Sequence, residues 1–407
     1  MSQRSTSPSS ASARSRCRPA FPRLLAGLSL PIAASLAALA GCADPVVIDS
    51  NSDSGTVVKT DGGMDAQPIK YSARTTATAD FQSDASMPLW RQWKRDPHFV
   101  TDQNDQYLFF AGSPYVTEGW TVGYYKQTGA APNSTSTLQQ ILLSGAATWD
   151  TGDMTAPMVR VNVGSSKFTL YYAANGAPGK PTYVNQIGVA TSQDGRVWSN
   201  HTAAPALSVP AFDGVMDTSS PTTMRPDAFG VTDPWVMTDG SETVMYYAGL
   251  DCSAGTSCVS AIFRTVSADG GQTFPAGSVV LAGRQGIAEE AGGVAGPSIY
   301  VANGLYTMAY TALPTPVQRN RVLLRRGLTS GTIGIATSKD GKTWTNAVAS
   351  GNVLIGKGTT SYSLQGAVSP SLYLSGQSLR LYFGGTIDQT NPGIFYSLGS
   401  ADVMVQQ

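Results

Sequence analysis

Five times the chain writes the same kind of phrase: "RDPHFVTDQNDQYLFFAG", "TAPMVRVNVGSSKFTLYYAA", "TDPWVMTDGSETVMYYAG", "AGPSIYVANGLYTMAYTA" and "VSPSLYLSGQSLRLYFGG". Each joins a proline, an apolar run, a polar turn and an apolar-aromatic run that ends in small residues. The prolines are Pro97, Pro157, Pro234, Pro297 and Pro370, spaced 60 to 77 residues apart. A fixed period of this size marks a repeat architecture, in which one supersecondary unit recurs and neighbouring units bury each other.

Each phrase predicts a β-hairpin. Tyr171, Tyr246, Tyr306 and Tyr382 fall on the two-residue alternation of half-buried strands. Proline is tolerated at a strand's start because its missing N–H is not needed in the ladder there. The remaining residues of each period suffice for two further strands. Five such units set radially predict an all-β fold, a five-bladed β-propeller of four-stranded antiparallel blades, which leaves only short protected edges. Charged residues make up only 13% of the chain, and glycine is plentiful at 43 residues, which suits strands and tight turns better than helices.

A second phrase marks the same period. "IGVATSQDGRVWSN" begins at Ile187, "IGIATSKDGKTWTN" at Ile333, and "SADGGQTF" runs from Ser267 to Phe274. The last resembles the sialidase Asp-box, with Phe in place of Trp, and the other two copies are one residue shorter. An Asp-Gly between strand patterns is a hairpin signal, since glycine supplies the positive φ and aspartate caps nearby N–H groups. Three copies in equivalent places predict structural corners, so Asp194, Asp269 and Asp340 are set aside from chemistry. In the last unit, Ser400-Ala401-Asp402 is expected to be a truncated remnant of that corner.

The first 41 residues read differently. Arg4, Arg14, Arg16, Arg18 and Arg23 precede the apolar stretch 24–39, with no acidic residue, the layout of a secretory signal. Leu39-Ala40-Gly41-Cys42 resembles the bacterial lipobox, which implies cleavage before Cys42 and a diacylglycerol on its sulfur. Pro31 and the small residues after it argue against a membrane-spanning helix. We therefore expect a signal peptide over 1–41, a flexible Asp/Ser/Gly/Thr-rich tether over 42–70, and the propeller over 71–407, lipid-anchored at the bacterial cell envelope. Without residues 1–41 the chain carries 22 basic and 27 acidic residues, a net of about −5. That balance gives no attraction to nucleic acid or anionic lipid. Export would let Cys252 and Cys258 form a disulfide across a short loop. Only two histidines, His98 and His201, are present, so no metal site and no cofactor are expected, and the protein is read as a monomer.

The pieces "RDPHF", "TDPWV", "AGPSIYVANGLYTMAY" and "IGIATSKDGKTW" resemble the five-bladed propeller glycosidases, the clan of glycoside hydrolase families 43, 32 and 68. The resemblance implies a carbohydrate partner and a central funnel, with two aspartates and a glutamate close to the blades' starting prolines. One carboxylate would activate water or attack carbon, and another would protonate the leaving oxygen. The residues before the five prolines are Asp96, Ala156, Asp233, Gly296 and Ser369. Asp96 matches the base. Asp233 matches either the acid, with Asp for Glu, or the modulating aspartate, and in the second alignment Ala295 stands where the family has its acid. Asp153 and the pair Glu289-Glu290 lie just upstream of their prolines, with Glu290 the reserve acid and Asp153 a substrate contact. His98 is expected on the same strand face as Asp96, lining the funnel, while Trp93, Trp120 and Trp235 are candidates for stacking on sugar rings. Two other readings stand beside hydrolysis: a non-catalytic propeller that binds a polysaccharide or protein, and a six-bladed sialidase-like enzyme. The count of five and the lack of a second set of arginines weigh against the latter.

Overall fold

The computed structural model describes residues 70–75, 93–113, 120–133, 136–143, 149–150, 152–162, 167–174, 185–199, 204–208, 230–251, 257–318, 331–347, 354–357, 366–376, 378–386 and 396–406. All belong to one compact unit, Ile48–Gln407. The segments expected to be a signal and, up to residue 69, a tether lie outside the described residues, as do Cys42, His201 and Cys252. Among the described residues, no helix is long and apolar enough to cross a membrane.

Each repeat folds as an antiparallel blade built outward from its proline-bearing strand. Blade 1 runs Trp93–Asp102, Asp105–Ser113, Thr121–Thr128 and Thr137–Gln140. Blade 2 runs Met154–Val161, Phe168–Ala174, Gln186–Ser192 and Val197–Ser199, with Leu142–Leu143 added in parallel at its rim. Blade 3 comprises Val231–Asp239, Glu242–Asp251, Ser257–Ser267 and Ser278–Ala282. Blade 4 comprises Gly293–Ala302, Leu305–Leu313, Thr332–Ser338 and Thr345–Asn346, tied to blade 3 by a bridge between Ser260 and Gly293. The fold is an all-β five-bladed propeller.

Blade 5 departs from expectation. Its chain-order strands are Gly366–Ser375, Ser378–Thr386 and Tyr396–Gln406, and its fourth strand is Lys70–Thr75, from the other end of the sequence. Pairing runs in register from Lys70 opposite Gln406 to Thr75 opposite Ala401. Ser400-Ala401-Asp402 is therefore not a remnant corner. It lies inside a strand, with Asp402 held by Arg380 at 2.8 Å. No turn forms there because Lys70–Thr75 already fills the outer position.

The core is divided into slabs between neighbouring blades. Phe109, Tyr124, Phe168, Tyr172 and Trp198 fill the slab between blades 1 and 2. Tyr171, Tyr246, Phe263 and Tyr306 belong to the continuous core of blades 2 to 4. Between blades 5 and 1, Tyr373 stacks on Tyr382 with centroids 5.1 Å apart and on Phe99 at 4.0 Å. Between blades 4 and 5 the filling is mainly aliphatic, with Ile333, Ile335, Leu372 and Leu381 around Phe383, and burial of these apolar side chains is the main force holding blade to blade.

The repeated Asp-Gly phrase forms a corner in blades 2, 3 and 4. Asp194 accepts from the N–H groups of Arg196 and Val197 at 2.8 and 2.9 Å, and Asp340 from those of Lys342 and Thr343 at 2.8 and 2.7 Å. Those donors, Thr343 first, hold the Asp340 carboxyl down at about 2. Trp198 is buried and donates its indole N–H to the corner carbonyl of Gly195 at 2.9 Å. The corner also latches blades together: Tyr171 of blade 2 donates to Gly271 O at 3.1 Å, and Tyr246 of blade 3 to Gly341 O at 2.6 Å. Gly341 has φ of 65°, and a Cβ there would sit 2.7 Å from the Tyr246 hydroxyl, so both backbone and space require glycine. Cys258 is buried and disulfide-bonded.

Candidate functional site

Every innermost strand breaks register at its proline. The shifts fall between Arg95 and His98, Thr155 and Met158, Thr232 and Trp235, Ala295 and Ser298, and Val368 and Ser371. The residue before each proline takes a left-handed φ: 53° at Asp96, 49° at Ala156, 52° at Asp233, 58° at Gly296 and 51° at Ser369. Proline normally drives its predecessor to extended backbone, and L-residues with a Cβ pay roughly 1–2 kcal/mol for this region. Only one of the five is glycine. The bulges re-aim these five residues inward, where they and their prolines, with His98 and Trp235, line a cavity of about 30 Å³. That volume has room for a few water molecules or for polar groups of a ligand seated at its mouth.

Two carboxylates meet in this pit on unequal terms. Asp96 is held on both oxygens: Oδ1 accepts from the Ser369 hydroxyl at 2.6 Å, and Oδ2 from the Ala156 N–H at 3.1 Å. Arg95 Nε lies 3.2 Å from Oδ2, an ion pair without hydrogen-bond alignment. Asp233 receives longer contacts, from Gly296 N–H at 3.2 Å and the Thr232 hydroxyl at 3.3 Å. Burial, and then the negative charge of Asp96, push the Asp233 carboxyl up to about 7, outweighing the opposing influence of Arg95. At neutral pH the Asp233 carboxyl therefore keeps its proton readily.

His98 is buried, and its Nε2 is 2.9 Å from the carbonyl of Val159. A carbonyl only accepts, so Nε2 carries the hydrogen and Nδ1 is bare. Burial lowers this imidazole to about 4, so it is neutral at physiological pH. Its ring meets Trp235 edge-on at 5.2 Å. Trp235 is buried too, and its indole N–H has no hydrogen-bond partner among the described residues.

Asp153 and Glu290 are buried but do not line the pit. Asp153 Oδ1 accepts from the backbone N–H of Trp120 at 2.9 Å, and the Trp120 ring supports the Arg95 guanidinium at 4.4 Å. Asp153 thus bears on Asp96 through two intermediaries. Glu290 ends a single 3-10 turn, Ala288–Glu290, where Arg284 binds both its oxygens at 2.8 and 3.0 Å and Tyr310 donates at 2.8 Å. Burial alone would raise its carboxyl, but these donors hold it below its ordinary value, which makes it a poor proton donor. The side chain of Trp93 lies outside the described residues. Ser369 and Arg95 were not singled out from sequence; the signal for Ser369 was only its place in the series of residues before the prolines. Among the described residues, no group of three or more His, Cys, Asp or Glu side chains is placed to hold a metal ion.

No protein-family model and no curated protein matches the sequence. Solved structures do. The catalytic domain of the Coprinopsis cinerea GH62 α-L-arabinofuranosidase superposes with a TM-score of 0.55 at 13% identity, over 83% of this chain and 98% of that one. The chain has the fold of the propeller glycoside hydrolases. This propeller also matches an endo-1,4-β-xylanase from Bacteroides thetaiotaomicron (TM-score 0.51, 14% identity, 82% and 97% of the two chains). A GH43_1 enzyme from Xanthomonas citri aligns at TM-score 0.51 and 15% identity, over 79% of the propeller and 90% of its own chain. At such identities the likeness is one of fold, and the chemistry of the propeller has to be argued from its own pit.

Proposed function

We propose that this propeller binds a glycan over its central pit and hydrolyses a glycosidic bond there, with Asp96 as base and Asp233 as acid. The observation that carries the reading is the unequal carboxyl pair facing one cavity. An ionised Asp96 can take a proton from water as it attacks carbon, and a protonated Asp233 can give one to the leaving oxygen. The pit's size suits the water. Glu290 is committed to Arg284 and Tyr310, so Asp233 is the better acid. The named activities of the similar structures, on arabinofuranosides and β-1,4-xylans, supply the first substrates to try.

The test is sugar release from aryl α-L-arabinofuranosides, aryl β-xylosides and plant polysaccharides by the wild type, Asp96→Ala and Asp233→Asn. Turnover should fall by about 10³-fold or more in either variant, and wild-type activity should decline above about pH 7 as Asp233 loses its proton. Activity indifferent to Asp96→Ala would overturn the assignment. A binding-only propeller is the second reading, favoured by the absence of a carboxylate at Ala295 and Gly296 in blade 4. It requires glycan affinity without turnover, unchanged by Asp233→Asn. We further propose that Cys42 anchors the protein to the cell envelope through its lipid; Cys42→Ala should move it from the membrane to the soluble fraction.

A further inference from the structure

The two carboxyl groups of the pit are nearly equivalent by position, each before a proline on an inner-strand bulge. Their surroundings are not equivalent: Asp96 has the Arg95 guanidinium 3.2 Å from Oδ2 and, on its other oxygen, a close hydroxyl. Ser369 Oγ donates to Asp96 Oδ1 at 2.6 Å, in the short range of hydrogen bonds to an ionised carboxylate. The corresponding hydroxyl beside Asp233, that of Thr232, stands at 3.3 Å.

Ser369 is held for this task by strained backbone. Its φ is 51°, a region in which glycine would be at ease, as Gly296 is in the same position of blade 4. Its own N–H is fixed by the Thr311 hydroxyl at 2.8 Å.

Among the charged groups nearby, Arg95 acts in the same direction as Ser369, its Nε lying 3.2 Å from Asp96 Oδ2. On the inner strands, Lys94, Arg95 and His98 are close in sequence to Asp96, and His98 is neutral. Asp102, Arg160 and Asp239 lie towards the other ends of their strands, engaged with Lys167, Thr238 and Tyr306. The inner strands of blades 4 and 5 bring no charge. On the strands behind, Asp105, Glu242 and Arg380 are paired with Lys126, Arg264 and Asp402.

We propose that Ser369 is a positioning residue, whose hydroxyl pins Asp96 as the ionised member of the pair and so leaves the shared proton on Asp233. The inference rests on the carboxyl-pair site of the proposed function, and it fixes which aspartate is base and which is acid. It does not depend on turnover.

The experiment is a pH titration of [4-¹³C]aspartate-labelled protein, with the two carboxyl resonances assigned by their loss in Asp96→Asn and Asp233→Asn. In the wild type, Asp233 should titrate well above Asp96. Ser369→Gly removes the hydroxyl and relaxes the backbone, so its Tm should stay level or rise. In that variant the Asp96 step should move up by about one pH unit and the Asp233 step should move down. Both steps unchanged in Ser369→Gly would overturn the proposal. So would a wild-type spectrum in which Asp96 holds the proton, a result available even if the variant fails to fold. Absence of activity on every glycoside would remove the hydrolytic reading and leave this result standing.

Discussion

At Asp233 a single buried proton links the pit to the stability of the fold. Its carboxyl is raised in the folded state to about 7, against roughly 4 in an unfolded chain. The stabilisation it provides is complete below the unfolded value and is lost as pH rises through about 7. Asp233→Asn stays neutral throughout, so its Tm should change less between pH 5 and pH 8 than the wild type's, with the gain concentrated at pH 8. Ala156 offers a plainer case. At φ 49° its methyl group is strained, and its N–H, which binds Asp96, survives in glycine. Ala156→Gly should raise stability by about 0.5–1 kcal/mol in chemical denaturation. The prolines of these positions could be read from the sequence, and with them the series Asp96, Ala156, Asp233, Gly296 and Ser369. Their left-handed backbone could not, because the local rule for a residue before proline points the other way and tertiary bulging overrides it. Nor could the bond from Ser369 to Asp96, which spans 273 residues.

Among the elements, the Asp-Gly corner was the most legible, since it is built almost wholly from its own few residues: an aspartate, the N–H groups that follow it, a glycine and a ring. Its second task was hidden, because the hydroxyl that latches it comes from the blade before. Tyr246→Phe removes the bond to Gly341 O and leaves a buried carbonyl unpaired, so it should cost about 1 kcal/mol. Tyr171→Phe should cost a similar amount, and the pair should add, as the two hydroxyls bind different corners. Neither substitution should alter glycan binding, which separates the corners from the pit. Glu290 shows the opposite limit of sequence reading. Its place just before a blade proline resembled that of Asp153, and nothing local announced that Arg284 and Tyr310 would occupy it.

For the molecule as a whole, the decisive element is the one strand that arrives out of order. A chain starting at Lys70 should fold as well as a longer one. A chain starting at residue 76 loses the outer strand of blade 5 and exposes the edge of Tyr396–Gln406 to other chains. Size-exclusion chromatography of the two truncations should show a monomer for the first and higher assemblies for the second, with a lower Tm. The repeat count foretold the ring but not its closure, since Lys70–Thr75 carries no copy of the blade phrase and its partner lies at the other end of the sequence.

The register of that closure also sets how the ring responds to force. Lys70 faces Gln406, so the chain enters and leaves at the same end of a six-pair antiparallel ladder. A pull on the two ends does not shear six pairs together. It peels them one after another, from Lys70 inward, and the seam that completes the ring is therefore also where the ring unzips.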